Sequence, residues 1–339
     1  MLKRLLMACF LVWMAGAALA GPLEDGFTAY DRGDYATALK LWRPLAEKGH
    51  AGAQVSLGVM YHEGKGVPQN DAQAVAWYRK AAEQGHALAQ SNLGMMYHIG
   101  QGVAQNFTEA LRWYREAAAQ GVAKAQNNLG IMYANGQGVA QDYAEAVKWY
   151  RKAAEQGFAL AQNNIGFMYF QGKGVRKSPS KAAEWFRMAA EQGLDAAQFH
   201  LAVMYVAGAG VKKNDAEAAK WYRKAAEQGH AIAQLHLGVL FKDGAGVKKD
   251  YAQAVKWFTM AAEQGLADAQ FNLALMYATG RGVAGMAMDF VHAYAWLTLA
   301  VSQGHKDAAE YRTTIIPLMT PAQIAEAQRL AAEWKPKGQ

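Results

Sequence analysis

The sequence holds one cysteine in 339 residues, and that residue, Cys9, sits in an apolar N-terminal stretch. A disulfide framework and any Cys-rich zinc module are thereby excluded. Proline is scarce, at 7 residues against 34 glycines, which excludes collagen-like and Pro-rich disordered classes. Neither sign of charge dominates. Lys and Arg number 35, Asp and Glu 28, for a formal charge of +7, too mild for a nucleic-acid-binding tail. No run is long and apolar enough for a spanning helix, which needs about 20 residues: Leu5–Leu19 has 15. Much of the hydrophobic fraction of 52% is alanine. The composition describes an ordered, helix-favouring chain that does not span a membrane.

The first twenty residues read as an address. Lys3 and Arg4 form a short positive start, Leu5–Leu19 is apolar, and Ala18-Leu19-Ala20 is a small-x-small cleavage pattern before Gly21. Residues 1–20 are therefore expected to be a cleaved signal peptide. Cleavage would remove Cys9, suiting the remainder to an oxidising compartment. The expected location is periplasmic or secreted, in the manner of a Gram-negative envelope protein.

A 36-residue period governs the rest, and such periods mark repeat architectures. Six units, from Ala51–His86 to Ala231–Leu266, have this length, and a seventh, Ala267–His305, has 39 residues with its extra three near Ala284–Met288. Gln recurs at 54, 90, 126, 162, 198, 234 and 270, and an aromatic at Tyr61, Tyr97, Tyr133, Tyr169, Tyr205, Phe241 and Tyr277. Within a unit, Ala53, Leu57 and Tyr61 make one apolar stripe at helical spacing. Gly58 stands beside Leu57, where a neighbouring helix can approach closely. A Gly-x-Gly-Val loop, such as Gly64-Lys65-Gly66-Val67, ends that helix. Asn70, Asn106, Asp142, Ser178, Asn214 and Asp250 then occupy one N-cap column, with Gln73, Glu109, Glu145, Glu217 and Gln253 as capping-box partners. Ala74, Trp77, Tyr78, Ala81 and Ala82 give the second helix its buried stripe. One helix pair cannot bury both apolar faces alone, so neighbours must stack into a continuous core. The expected organisation is a signal peptide (1–20), an N-terminal capping half-repeat (21–50), seven repeats (51–305) and a C-terminal capping helix region (306–339). There, Thr320-Pro321-Ala322-Gln323 opens the last helix with a capping box.

The unit Ala-x-Ala-Gln-x-x-Leu-Gly-x-x-Tyr-x-x-Gly-x-Gly-Val, followed by Ala-x-x-Trp-Tyr-x-x-Ala-Ala-x-Gln-Gly, resembles the Sel-one-like repeat (SLR), a relative of the tetratricopeptide repeat with a longer loop between its helices. The resemblance is carried by residues such as Ala51-Gly52-Ala53-Gln54, Leu57-Gly58, Trp77-Tyr78 and Ala81-Ala82-Glu83-Gln84-Gly85. It implies an all-α fold, an α/α right-handed superhelical solenoid of helix-turn-helix repeats whose first helices line a concave face. It also implies an adaptor role in protein complexes. Departures are Ala202 and Ala274 at the helix glycine, and Phe241 at the tyrosine.

Side chains align by repeat, so function is sought in columns. Ser56, Asn92, Asn128, Asn164, His200, His236 and Asn272 form a polar column on the first helix. With Phe170 and Phe199, the members from Asn92 to Asn272 are the candidates for binding a partner segment, since an amide both donates and accepts. The same residues could instead bond neighbouring helices and shape the stack. A second candidate is a basic stripe in the loops of repeats four to six, Arg176-Lys177, Lys212-Lys213 and Lys248-Lys249, where repeats one to three have Pro68-Gln69, Ala104-Gln105 and Ala140-Gln141. It could meet an anionic polysaccharide or lipid headgroups, or be a solvated edge.

Catalytic signatures are weak. Ser178-Pro179-Ser180-Lys181 matches Ser-x-x-Lys but lacks its Ser-Asp-Asn and Lys-Thr-Gly companions, and Ser178 is a cap. The Gly-x-Gly loops lack a third glycine and follow helices, leaving no dinucleotide fingerprint. His62 and His98 share one column and His200 and His236 another, without the carboxylate or thiolate set of a zinc site. The expectation is a non-enzymatic scaffold without cofactor or metal, binding protein partners along its first-helix face. Binding of anionic glycan or lipid is the alternative, and a hydrolase of the β-lactamase type the third reading. Nucleic acid is not expected.

Overall fold

A computed structural model of the chain describes residues 21–282 and 288–336. The expected signal peptide, and residues 284–287 of the expected insertion, lie outside the described residues. Among those described there are eighteen α-helices, one 3₁₀ turn at Ile316–Leu318 and no strand. The fold is all-α and built of helix pairs, as the period predicts. The first helices of the seven repeats are α3 (Ala51–Glu63), α5 (Ala87–Ile99), α7 (Ala123–Asn135), α9 (Ala159–Gln171), α11 (Asp195–Ala207), α13 (Ala231–Asp243) and α15 (Ala267–Ala278). The second helices are α4 (Asp71–Glu83), α6 (Phe107–Ala119), α8 (Tyr143–Glu155), α10 (Pro179–Glu191), α12 (Asp215–Glu227), α14 (Tyr251–Glu263) and α16 (Phe290–Ser302).

The cap column acts as the sequence suggests. Asn70 Oδ1 accepts from the Gln73 N–H at 3.0 Å, Asn106 Oδ1 from Glu109 at 3.1 Å, and Asp250 Oδ1 from Gln253 at 2.9 Å. The reciprocal half of the expected capping boxes goes elsewhere. The carboxylates of Glu109, Glu145 and Glu217 turn along the helix to Arg112, Lys148 and Lys220, because a full cation three residues on outbids one backbone N–H for a carboxylate. A complete capping box forms at Thr320 and Gln323.

The second glycine of each loop meets two demands at once. Gly138 has φ of 69°, and a Cβ placed on it would stand 2.6 Å from the Phe107 carbonyl oxygen at the start of the preceding second helix. Each loop thus lies on the N-terminus of its predecessor's second helix, at a distance that only glycine permits. Inside the first helix, the glycine beside the core Leu faces a ring of its own repeat. A Cβ at Gly94 would lie 2.8 Å from Tyr114, and one at Gly166 2.9 Å from Phe186. Tyr78, Tyr114, Phe186 and Phe258 are the largest fully buried rings of the repeats, each contributing about 1.5–3 kcal/mol by burial. The neighbouring Trp column, read as core, divides. Trp113 and Trp257 are buried, whereas Trp77, Trp149 and Trp221 are half-buried under Lys80, Lys152 and Lys224, whose ammoniums sit 4.1–4.2 Å from the ring centres. The outer edge of each half-buried ring is roofed by the lysine stem.

The Gln column stitches the repeats together. Gln162 Nε2 donates to the Ala154 carbonyl at the end of α8, and its Oε1 accepts from Gln192 Nε2 after α10, at 3.2 and 2.7 Å. Gln90, Gln198 and Gln234 repeat the pattern in register. Arg–Tyr bonds add to it: the guanidiniums of Arg151 and Arg187 reach the hydroxyls of Tyr169 and Tyr205, both at 2.9 Å.

A boundary between two compact units falls inside α7, after Met132, with Gly136–Ala140 belonging to the first unit. In the first unit, the segment read as a half-repeat holds two helices, α1 (Pro22–Asp31) and α2 (Tyr35–Glu47). Trp42 fills the space left by Gly26 and donates its indole N–H to the Leu23 carbonyl at 3.0 Å. In the second unit, α16 is followed by α17 (Lys306–Ile315) and α18 (Pro321–Glu333), and Trp334 meets Trp296 edge-on at 6.1 Å.

Candidate functional site

The polar column is half-buried from Asn92 to Asn272, while Ser56 is buried and donates to the Gly52 carbonyl at 3.1 Å, and several members bond within the stack. His200 Nδ1 lies 3.0 Å from Asn163 Oδ1 on the preceding first helix. Asn272 donates to the Asp268 carbonyl one turn back at 2.8 Å and accepts from Lys242 Nζ at 3.5 Å. Asn128 Oδ1 accepts from the neighbouring Asn127 amide at 3.4 Å. Asn92 is half-buried on α5, and Asn164 has a partner of its own. Two of these bonds, His200 to Asn163 and Lys242 to Asn272, join neighbouring first helices, and the others stay within one helix.

Four of the candidates come together in another way. In the second unit, Phe170, Phe199, His200 and His236 line a groove of about 510 Å³ over α9, α11 and α13, joined by Phe167, Val203, Val206 and Val239 from the same helices. Phe186 of α10 and Tyr222 of α12 form its floor. The wall is aromatic and ordered by stacking. Phe199 lies 4.9 Å from the His230 ring at 18°, and Tyr222 lies 5.2 Å from the His236 ring at 11°. His200 is 4.9 Å from Phe186. Burial pushes both groove imidazoles below the usual histidine range. The His230 ring adds to this at His200, while Asp268 partly opposes it at His236. Near neutral pH the groove therefore presents uncharged rings and aliphatic side chains, with Phe170 and Val206 each 37% exposed on its rim. Its lining is of the aromatic and aliphatic kind found in sites that take large apolar groups.

Asn92 and Asn128 belong to the first unit, and Asn164 and Asn272 are outside the groove lining. The sequence reading found Phe170 and Phe199 but passed over Phe167, Val203 and Val206. A signal existed: the position of Phe170 is His62, His98 and Ala134 in the first three repeats and Val206 in the fifth. Large apolar residues in one column of two consecutive repeats, where the first three repeats have His or Ala, mark a surface patch.

The six basic residues, Arg176, Lys177, Lys212, Lys213, Lys248 and Lys249, are all exposed, and none forms an ion pair among the described residues. Lys249 Nζ lies 5.1 Å from the Tyr251 ring, and its hydrogen bond lowers the affinity of that phenol for its proton. Ser178 caps α10, its hydroxyl accepting from the Lys181 N–H at 3.5 Å and lying 3.2 Å from Ser180 Oγ. His62 pairs with Asp71 at 2.7 Å, while His98 packs against Phe107 and Tyr114. Among the described residues no group of three or more His, Cys, Asp or Glu is placed to hold a metal, and no helix is long and apolar enough to cross a membrane.

The paired helices have counterparts in known proteins. The chain is 37% identical to a Sel1 repeat protein from Oxalobacter formigenes, over 71% of this chain and 97% of that one, with a TM-score of 0.66. It is 31% identical to a protective antigen present in uropathogenic Escherichia coli strains and displaying an SLR fold, over 92% and 91% of the two chains, with a TM-score of 0.55. Among curated proteins, 58 residues are 41% identical to an exopolysaccharide production negative regulator of Rhizobium leguminosarum bv. viciae, covering 16% of this chain and 22% of that relative. The chain thus matches about a fifth of that relative's length. The family model of the Sel1 repeat fits eight successive segments, 17–50, 51–86, 87–122, 123–158, 159–194, 195–230, 231–266 and 267–305. With repeats matched from residue 17 to residue 305 and the paired helices that they specify, the chain belongs to the Sel1 repeat family.

Proposed function

We propose that this protein is a non-enzymatic interaction scaffold of the bacterial envelope, exported by its N-terminal signal and binding a partner protein through the first-helix face of its second unit. The observation that carries the reading is the aromatic groove over α9, α11 and α13, where Phe170 and Val206 remain exposed beside buried rings. A stack of repeats supplies a rigid wall that loses little freedom when a segment docks, so the binding energy is not spent on ordering the scaffold. The export half of the reading draws on Lys3, Arg4, the apolar run and Ala18-Leu19-Ala20. It is in keeping with a relative described as a protective antigen.

The test compares the full chain with a Phe170→Asp variant as immobilised baits in an envelope extract. Proteins retained at high salt by the wild type and lost by the variant, with unchanged circular dichroism, are the expected result. Identical retention by both would remove the groove from the reading. A fusion to a reporter active only outside the cytoplasm tests export, and its silence would overturn that part.

A second reading, binding of anionic glycan or lipid headgroups, is favoured by the exposed, unpaired residues of the basic stripe. It requires binding that fades steeply between low and physiological salt and is indifferent to Phe170→Asp.

A further inference from the structure

The groove and the basic stripe occupy the same three repeats. The groove is built on α9, α11 and α13, the first helices of repeats four, five and six. From the last turn of each helix to the residue before the next cap (170–177, 206–213 and 242–249), these repeats carry eight basic residues and one acidic, Asp243. The equivalent stretches of repeats one to three (62–69, 98–105 and 134–141) carry one of each, Lys65 and Glu63, which pair with one another. Two columns with no packing need to vary together, one on the helix face and one in the loop, thus depart from the repeat pattern in the same block.

They are also neighbours in space. α9 and α11 end at Gly172 and Gly208, both in the left-handed conformation. A Cβ built on Gly172 would stand 2.9 Å from the Lys177 Cβ, and one on Gly208 3.3 Å from the Lys213 Cβ. The stems of these lysines therefore spring from the capped helix ends, two residues beyond Phe170 and one beyond Ala207, both of which line the groove. Charges act over about 8 Å at physiological ionic strength, so a segment leaving the groove past these helix ends enters the field of the lysines that flank them.

We propose that repeats four to six form one bipartite docking surface for a protein segment in which a large apolar side chain is followed or preceded by acidic residues: the apolar group fills the groove and the carboxylates meet Lys177 and Lys213. The inference rests on the groove being the partner site and adds the partner's chemistry. Neither half suffices alone. An aromatic groove without the lysines would accept any apolar segment, and lysines without the groove would accept any polyanion. Together they discriminate, with charge excluding basic segments and speeding encounter.

Selection of a random dodecapeptide display library on the immobilised full chain tests this, followed by fluorescence anisotropy of the enriched peptides. The expected sequences pair Phe, Leu, Ile or Trp with Asp or Glu. Their affinity should fall at least tenfold on Val206→Asp, and by about tenfold on the double change Lys177→Glu and Lys213→Glu, as expected for two partly exposed pairs reversed in sign. Exchanging the peptide acids for lysine should have a similar effect. Enriched apolar peptides without acids, indifferent to the lysine changes, would overturn the charge inference and leave the groove standing. Acidic peptides indifferent to Val206→Asp, or binding to phosphatidylglycerol vesicles that is, would overturn the groove reading and with it the bipartite surface, as would a library without enrichment. Circular dichroism of both variants guards against misfolding, and Phe170→Ser replaces Val206→Asp if the latter does not fold.

Discussion

Replacing Gln162 by leucine tests whether the glutamine stitches hold the repeats together or merely fit between them. Gln162 is 2% exposed and makes two side-chain bonds, to the Ala154 carbonyl at 3.2 Å and from the Gln192 amide at 2.7 Å. Leucine has nearly the same volume, so no cavity term enters. Each lost bond costs about 1 kcal/mol net. A larger cost would follow if a partner were left buried and bare, but neither is. The Ala154 carbonyl keeps the Gly157 N–H at 3.0 Å, and Gln192 is exposed and recovers water. The expected loss is therefore about 2 kcal/mol, located at the junction of α8, α9 and α10. Native-state hydrogen exchange reads it as a roughly thirtyfold faster opening of α9 amides, with a lower urea midpoint in parallel. Gln162→Glu should cost more at neutral pH, because a carboxylate would face the Ala154 carbonyl oxygen in a buried site. The introduced carboxyl would have a raised affinity for its proton, so the variant recovers stability as pH falls and loses it again as pH rises above about 4.3. A Gln162→Leu protein within about 0.5 kcal/mol of wild type would refute the argument and reduce the column to a packing feature.

Other predictions follow from single residues. Gly174→Ala and Gly157→Ala both place a Cβ on a left-handed glycine, but the first drives it into the Tyr143 peptide while the second meets open space. Gly157→Ala should cost about 1–2 kcal/mol and Gly174→Ala at least twice that, and equal melting temperatures would contradict the loop-on-helix account. The pH dependence of stability has a definite sign. His200 and His236 are held below the ordinary imidazole range by burial, so the unfolded chain takes up protons first and stability is lost as pH falls below about 6.5. A His200→Asn, His236→Asn protein, with the residue that other repeats use, should lose less stability between pH 7.5 and 5.5; an unchanged slope would assign the acid sensitivity elsewhere. Asn214→Ala removes the acceptor for two backbone N–H groups of α12 and should cost about 1 kcal/mol, without altering retention of a partner.

Much of this fold was legible because each local signal is repeated. The Gly-x-Gly-Val loops and the cap column mark where every helix ends and the next begins, and α4, α6, α8, α10, α12 and α14 each start one residue after their expected cap. Helix α1 had no such signature. It is ten residues long and keeps only the glycine of the Ala-Gln-Leu-Gly pattern, Gly26 under Trp42, a contact between positions sixteen residues apart. The role of the glutamines was equally hidden. Their recurrence showed a constraint, but a buried Gln satisfied by a carbonyl eight residues back and an amide thirty residues on requires three helix ends to converge. At the candidate site, periodicity identified columns, whereas the groove arises where Phe167, Phe170, Phe199 and Val203 on adjacent helices come together. A column read down one helix position does not reveal its neighbours across the stack.

The seventh repeat puts the glutamine stitch to a natural trial. Its loop is longer by three residues, so Gln303 stands 33 positions from Gln270 where the other pairs stand 30 apart, yet the amides meet at the same 2.8 Å found at Gln234 and Gln264. The joint is thus indifferent to the length of chain that runs between its halves. Loops can lengthen or exchange neutral for charged residues while the frame keeps its spacing. Since both amides of a pair lie within one unit, whole units can also be gained or lost without a new joint having to be devised. Recognition and architecture are in this way free to change at different rates, one through the loops and exposed helix faces, the other through the number of repeats.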